Sequence, residues 1–287
     1  MAKKERLILV TGATGKQGGA ALRHLCAKGF AVRAMTRDPE QPKARALVGH
    51  GAEVVKGDME DVASIVRALD GVDGVYSVQD WQGGVEQEVR QGVNLVEAAK
   101  RAVVDQIVYS SVSAADQNTG IPHFESKFQI EERIRRAGVP YTILRPVFFM
   151  ENWLDMGQMI GQGAITLPLK PETRLQMIAV EDIGAFIAMA FEHPRKWLGR
   201  AIDLAGDEHS MEETARVLSG PAGRELKYQQ APWQDFERNV GHEVAVMFRW
   251  FEEVGYNVDI SAVRQERPNM LTLERWSKTH WERGVGA

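Results

Sequence analysis

The apolar and polar positions of the first half of the chain follow two alternating rhythms. Short, unbroken apolar and β-rich runs stand at Leu7–Val10, Ala31–Met35, Glu53–Val55, Gly74–Val78, Gln106–Tyr109 and Tyr141–Leu144. Between them apolar residues return every three or four positions, over Gly18–Ala27, Pro39–Val48, Asp61–Leu69, Val85–Ala102 and Phe124–Ala137. A strand that is apolar throughout needs cover on both faces, and a helix between successive strands supplies it. The pattern therefore predicts a doubly wound, parallel α/β sheet. Punctuation agrees: Asp38-Pro39 reads as a helix cap followed by proline in the first turn, and Gly29, Gly51, Gly71 and Gly138 fall where a helix hands over to a strand.

Beyond residue 146 the alternation loosens. Gly157–Pro171 reads as a loop-rich excursion, Val180–Glu192 returns to helical period, and Ala201–Leu204 can add a strand. Ser210 with Glu213 forms a capping box that opens a helix running to Leu218. The tail is helical and rich in aromatics. These readings divide the chain into a main domain over 1–150 and a smaller α+β lobe over 151–287 with segments returning to the sheet.

The first strand runs into Thr11-Gly12-Ala13-Thr14-Gly15-Lys16-Gln17-Gly18, and a helix begins at once. In a Rossmann-type fold the first glycine permits the turn, the second lets backbone N–H groups approach a pyrophosphate, and the third lets the helix lie against the strand. The helix N-terminus then offers unpaired N–H groups and the positive end of its dipole to phosphate. The second strand ends Met35-Thr36-Arg37, where NAD-specific folds place an acid; Arg37, with Arg33 as a second choice, suits a 2′-phosphate and so NADP. Asp58, in Lys56-Gly57-Asp58-Met59, can accept from an adenine amino group or cap the next helix, and the two roles are compatible.

Charge and composition narrow the classes. Lysine and arginine number 35 against 39 acids, giving a net charge of −4 with no basic block, which disfavours direct nucleic-acid binding. No run of about 18 apolar residues exists, so no membrane helix is expected. The polar, basic start Met1–Arg6 leads into an apolar run too short for a signal peptide. The single cysteine, Cys26, excludes an internal disulfide, fits a cytoplasmic location, and reads as a small buried hydrophobe. No H-E-x-x-H, cysteine cluster or dense carboxylate loop is present, so no metal is expected.

Taken together, TGATGKQG, MTRDP, KGDMED, YSSVS, HFESK and FFMEN resemble the NmrA-like branch of the atypical short-chain dehydrogenases/reductases, and the similarity extends to Leu271–Trp276. The resemblance implies that Gly12, Thr14, Gly15, Lys16, Gln17, Gly18, Arg37, Asp58, Met59, Ser77, Val78, Gln79, Lys127, Phe149 and Asn152 touch NADP(H). The family holds both NADPH-dependent reductases and dinucleotide-binding regulators, so it fixes the cofactor better than the reaction.

Short-chain reductases typically use Tyr-x-x-x-Lys with a serine at the end of the fifth strand. Here His123-Phe124-Glu125-Ser126-Lys127 puts histidine in the tyrosine slot, and Val112 stands in the serine slot. Lys127 is the main candidate for nicotinamide-ribose contact and proton donation; His123 is a weaker catalytic candidate, a surface or capping role being more common at such a junction. Phe148–Trp153 offers aromatic walls, with Phe148 read as core packing, and Trp81 and Trp233 are lid candidates. Two functions follow: an NADPH-dependent reductase of a small apolar, quinone-like or aromatic substrate, or a non-catalytic NADP(H) sensor acting on a regulatory protein partner. Oligomeric state, a homodimer included, stays open.

Overall fold

A computed structural model describes residues 6–156 and 163–281. Met1–Glu5, and the Gly157–Gln162 part of the expected loop-rich excursion, lie outside the described residues.

The strands β1 (Leu7–Val10), β2 (Ala31–Thr36), β3 (Glu53–Lys56), β4 (Gly74–Ser77), β5 (Gln106–Ser110) and β6 (Tyr141–Pro146) pair in parallel. With β10 (Arg200–Leu204) at one edge, they form a seven-stranded sheet in the order β10-β6-β5-β4-β1-β2-β3. The chain crosses from β3 at one edge back to β4 beside β1, so the loops leaving β1 and β4 part company. That switch point is where open α/β sheets bind ligands. Helices α1 (Lys16–Ala27), α2 (Pro42–Val48), α3 (Val62–Ala68), α4 (Val85–Arg101) and α5 (Pro122–Ala137) join the strands. On one face Leu9, Val75, Ile107, Tyr109 and Ile143 of the strands pack with Ile65 of α3, Leu95 and Val96 of α4, and Ile130 and Ile134 of α5. These elements, through Arg145 and with residues Ile183–Ile202, make the first of two compact units.

Two local expectations change. Helix α2 starts at Pro42 with Gln41 before it, not at Pro39; Asp38 instead accepts from the Glu40 amide at 3.0 Å in a tight turn. The chain offers two prolines, and only the second has a free helical run behind it. Asp58 does not cap α3: Asp61 does, accepting from the Ala63 amide at 2.9 Å.

The second unit comprises Asn118–Ile121, Pro146–Asp182 and Asp203 onward. Its three-stranded sheet has β9 (Arg174–Ile178) between β7 (Phe148–Phe149), parallel to it, and β11 (Asp207–Ser210), antiparallel. A further strand, β8 (Ala164–Leu167), pairs in parallel with β12 (Lys227–Gln230), so the stretch expected to be irregular as far as Pro171 contains regular structure. The remaining helices are α6 (Asn152–Asp155), α7 (Val180–Glu192), which runs from this unit into the first, the short α8 (Pro194–Trp197) of the first unit, α9 (Met211–Ala222), α10 (Trp233–Val240), α11 (His242–Glu253), α12 (Ile260–Glu266) and α13 (Leu273–His280). The capping box is present at α9: the Glu213 amide donates to Ser210 Oγ and the Ser210 amide donates to the Glu213 carboxylate. Phe251 meets Phe148 and Phe248 edge-on, with centroids 6.2 and 5.4 Å apart, so Phe148 is a core side chain as expected.

Three carboxylates hold the final helix. Asp182 accepts from the Leu271 amide at 2.8 Å, Asp207 from the Leu273 amide at 2.7 Å, and Glu151 from the Trp276 indole N–H at 2.9 Å. Asp207 sits at the N-terminus of α13, where the helix dipole favours a negative charge.

Candidate active site

The turn between β1 and α1 is built from glycine. Gly12 has φ +58°, and a β-carbon on it would lie 2.8 Å from Val78 Cγ1. A β-carbon on Gly18 would lie 2.1 Å from the Gly12 carbonyl oxygen, so only glycine lets α1 come this close to the strand. Gly15 donates to that same carbonyl at 2.9 Å and stands at the N-cap with no side chain capping the first turn. No side chain caps the first helical amides, which as a class lack intrahelical partners. Gly12, Thr14, Gly15 and Lys16 are exposed, and Gln17 is half-buried with its Oε1 accepting from Ser110 Oγ at 2.6 Å. Thr11 locks the turn to the neighbouring strand end: its Oγ1 accepts from the Val78 amide at 2.9 Å.

At the end of β2 the two arginines separate. Arg33 bonds Glu53 at 2.7 Å and donates to the carbonyls of Ala68 and Asp70 at 2.9 and 2.7 Å, so its guanidinium is committed to holding elements together. Arg37 is exposed and has no ion-pair partner among the described residues. Asp58 accepts from the Glu60 amide at 2.9 Å, and the Met59 carbonyl accepts from Asn94 at 2.8 Å.

At the end of β4, Ser77 is buried, Val78 is half-buried, and the Gln79 amide nitrogen donates to Ser77 Oγ at 3.0 Å. Gln79 Oε1 is buried with no hydrogen-bond partner among the described residues, a polar atom that asks for a donor.

Helix α5 carries the two catalytic candidates. Lys127 is nearly buried and its Nζ lies 2.6 Å from Glu88 of α4. His123 is buried rather than at the surface: it lies in the first turn of α5, stacked on Trp81 with centroids 4.9 Å apart and planes 27° apart, with Phe124 edge-on to it at 5.0 Å. Trp81 itself, 37% exposed, occupies a 3-10 turn after β4. Ser111 donates to Glu131 at 2.6 Å, and Glu131 also binds Arg145, so the hydroxyls preceding Val112 serve the frame of the site. Phe149 and Asn152 belong to the second unit, both half-buried, the former in β7 and the latter opening α6. Trp233, also of that unit, lies under the Arg249 guanidinium at 4.5 Å. Cys26 is half-buried instead of fully so, and burial pushes its thiol pKa up.

Sequence reasoning missed Glu88 and Glu131. The signal was available: each sits in the inward stripe of its helix, at a position where the period asks for an apolar residue.

The NmrA-like family pattern matches residues 4–279. The chain belongs to the NmrA-like family. Its similarity to NmrA-like and related reductases spans most of its length: it is 30% identical to the NAD(P)H azoreductase of Xenophilus azovorans over 77% of this chain and 76% of that one. The NADPH-dependent quinone oxidoreductase of Escherichia coli, solved with NADPH, superposes with a TM-score of 0.82 at 25% identity, covering 96% of this chain and 99% of that one. NmrA itself, a negative transcriptional regulator solved with NADP, has the same fold with a TM-score of 0.82 at 21% identity over 98% of this chain and 96% of that one. The Rossmann-like sheet is thus that of the NmrA-like proteins. Among the described residues no helix is long and apolar enough to cross a membrane.

Proposed function

We propose that this protein binds NADP(H) and acts as an NADPH-dependent reductase of a small apolar substrate, quinone-like or aromatic. The observation that carries the reading is the glycine cradle: Gly12 and Gly18 leave no room for side chains, and the uncapped first turn of α1 presents amides suited to a pyrophosphate. Arg37, exposed at the end of β2, would pair with the 2′-phosphate through its planar fork. The orphaned Gln79 oxygen fits a donor on the bound dinucleotide. NADPH, when bound, supplies the hydride. Lys127 supplies N–H donors at the nicotinamide-ribose end and holds a proton at Nζ for an oxygen of the substrate. The azoreductase and quinone oxidoreductase relatives support a reducible, conjugated substrate.

The sensor reading, with a regulatory protein partner, draws support from a separate observation. The tyrosine slot is filled by His123, whose ring is packed between Trp81 and Phe124.

The test is NADPH oxidation against a panel of quinones, azo compounds, enones and aldehydes, alongside calorimetric NADPH binding. Binding with turnover supports the reductase, binding without turnover on any substrate supports the sensor, and no binding removes both.

A further inference from the structure

The inward stripe of α4 reads Glu88, Gln91, Gly92, Leu95, Val96, Ala99. Glu88 is 0% exposed, so its carboxylate has left water, a large desolvation cost unless partners compensate. Both oxygens have partners, and both partners come from α5: Oε1 lies 2.6 Å from Lys127 Nζ and Oε2 accepts from Ser126 Oγ at 2.5 Å. One turn along, a β-carbon on Gly92 would lie 2.6 Å from Ile130, so glycine brings the two helices close enough for these bonds. Apolar side chains of similar size would fill such a helix contact without the desolvation cost. Packing alone does not account for the group.

The lysine end is the informative one. An ammonium carries three donors, and Glu88 engages one of them. The Lys127 side chain keeps 11% exposure, while that of Glu88 has none. A flexible four-carbon stem would otherwise let Nζ wander; the carboxylate fixes one of its bonds and so restricts where the other two can point.

We propose that Glu88 is a positioning residue for Lys127, pinning the ammonium so that its remaining donors meet the nicotinamide-ribose end of the dinucleotide. The proposal rests on the NADP(H) reading above, and its test separates the two. Calorimetric affinities are measured for NADPH and for adenosine 2′,5′-bisphosphate, which carries the 2′-phosphate but lacks the nicotinamide half. The proteins are the wild type, Glu88→Gln, Lys127→Ala and the double variant. Glu88→Gln is expected to weaken NADPH about tenfold, within the range of coupling between contacting residues, and to leave the bisphosphate unchanged. In the double variant it is expected to add nothing to the loss from Lys127→Ala. Unchanged NADPH affinity, an equal loss for both ligands, or additive losses in the double variant would each overturn the positioning role. A wild type that binds neither ligand overturns the dinucleotide reading and the proposal with it. If Glu88→Gln does not fold, Glu88→Asp replaces it in the same cycle, the shorter reach to Lys127 giving the same selective loss.

Discussion

Gly18 stands so near the Gly12 carbonyl that a β-carbon on it would lie 2.1 Å from the oxygen, whereas one on Gly15 would lie 3.2 Å from that same oxygen. Two glycines of one motif therefore do different work. Gly18 allows the strand and helix to pack, and Gly15 keeps the mouth of the turn open.

Gly18→Ala is accordingly expected to destabilise the fold by about 3 kcal/mol or more, through an overpacked backbone contact. Gly15→Val is expected to stay folded and lose NADPH binding. Urea unfolding and calorimetry on both variants check the split; a Gly18→Ala protein as stable as the wild type would refute it.

The two arginines near β2 give a second contrast. Arg37→Ala should lose about 1.5–3 kcal/mol of the preference for NADPH over NADH, the scale of a hydrogen bond to a charged group. Arg33→Ala should leave that preference alone and cost about 1 kcal/mol of stability, because the part-buried Ala68 carbonyl loses its donor while water can replace the one at the exposed Asp70 carbonyl. Paired affinities for the two dinucleotides, with melting curves, test both halves.

In the second unit the Asp207 hydrogen bond raises the His209 pKa above its ordinary value, overcoming burial. A histidine raised in the fold adds stability that is complete below its unfolded pKa of about 6.5 and is lost as pH climbs through the folded value. The melting temperature of His209→Gln is thus expected to fall furthest below that of the wild type at pH 5.5–6 and to converge on it in mildly alkaline buffer. A gap that widens as pH rises would contradict the assignment.

For the reductase reading, Lys127→Ala should slow single-turnover oxidation of bound NADPH by roughly two orders of magnitude. His123→Tyr restores the Tyr-x-x-x-Lys spacing, yet without a serine at Val112 little gain in carbonyl reduction is expected. Equal, substrate-dependent rates in wild type and Lys127→Ala would take the lysine out of the chemistry.

How much of this was legible in the sequence depended on what each element buries. Strands β1, β4, β5 and β6 announce themselves because a parallel strand covered on both faces is apolar at successive positions, while the edge strand β3, exposed at both ends, gives a weaker signal. Strands β11 (Asp-Glu-His-Ser) and β12 (Lys-Tyr-Gln-Gln) carry almost no apolar signal, and only their pairing partners define them. The glycine turn could be read locally, since all its parts lie within one strand, turn and helix. Arg33 and Arg37 looked alike because the difference lies in partners as distant along the chain as Glu53 and Asp70. Glu88 and Lys127 are 39 positions apart, and the helix contact that joins them is a tertiary fact.

The bonds that hold the final helix have a kinetic side. Leu271, Leu273 and Trp276 reach back 89, 66 and 125 positions to Asp182, Asp207 and Glu151. Closing loops of that length costs entropy that must be met before the contacts return anything, which places them late in folding. On a ribosome, the strands through Pro146 are synthesised long before Leu271 emerges, so β1 to β6 can pair before the groups that complete these three bonds are available. One short stretch, Leu271–Trp276, completes all three contacts, so a chain halted before Leu271 is expected to keep the parallel pairing of β1 to β6 and to lack the bonds that hold α13.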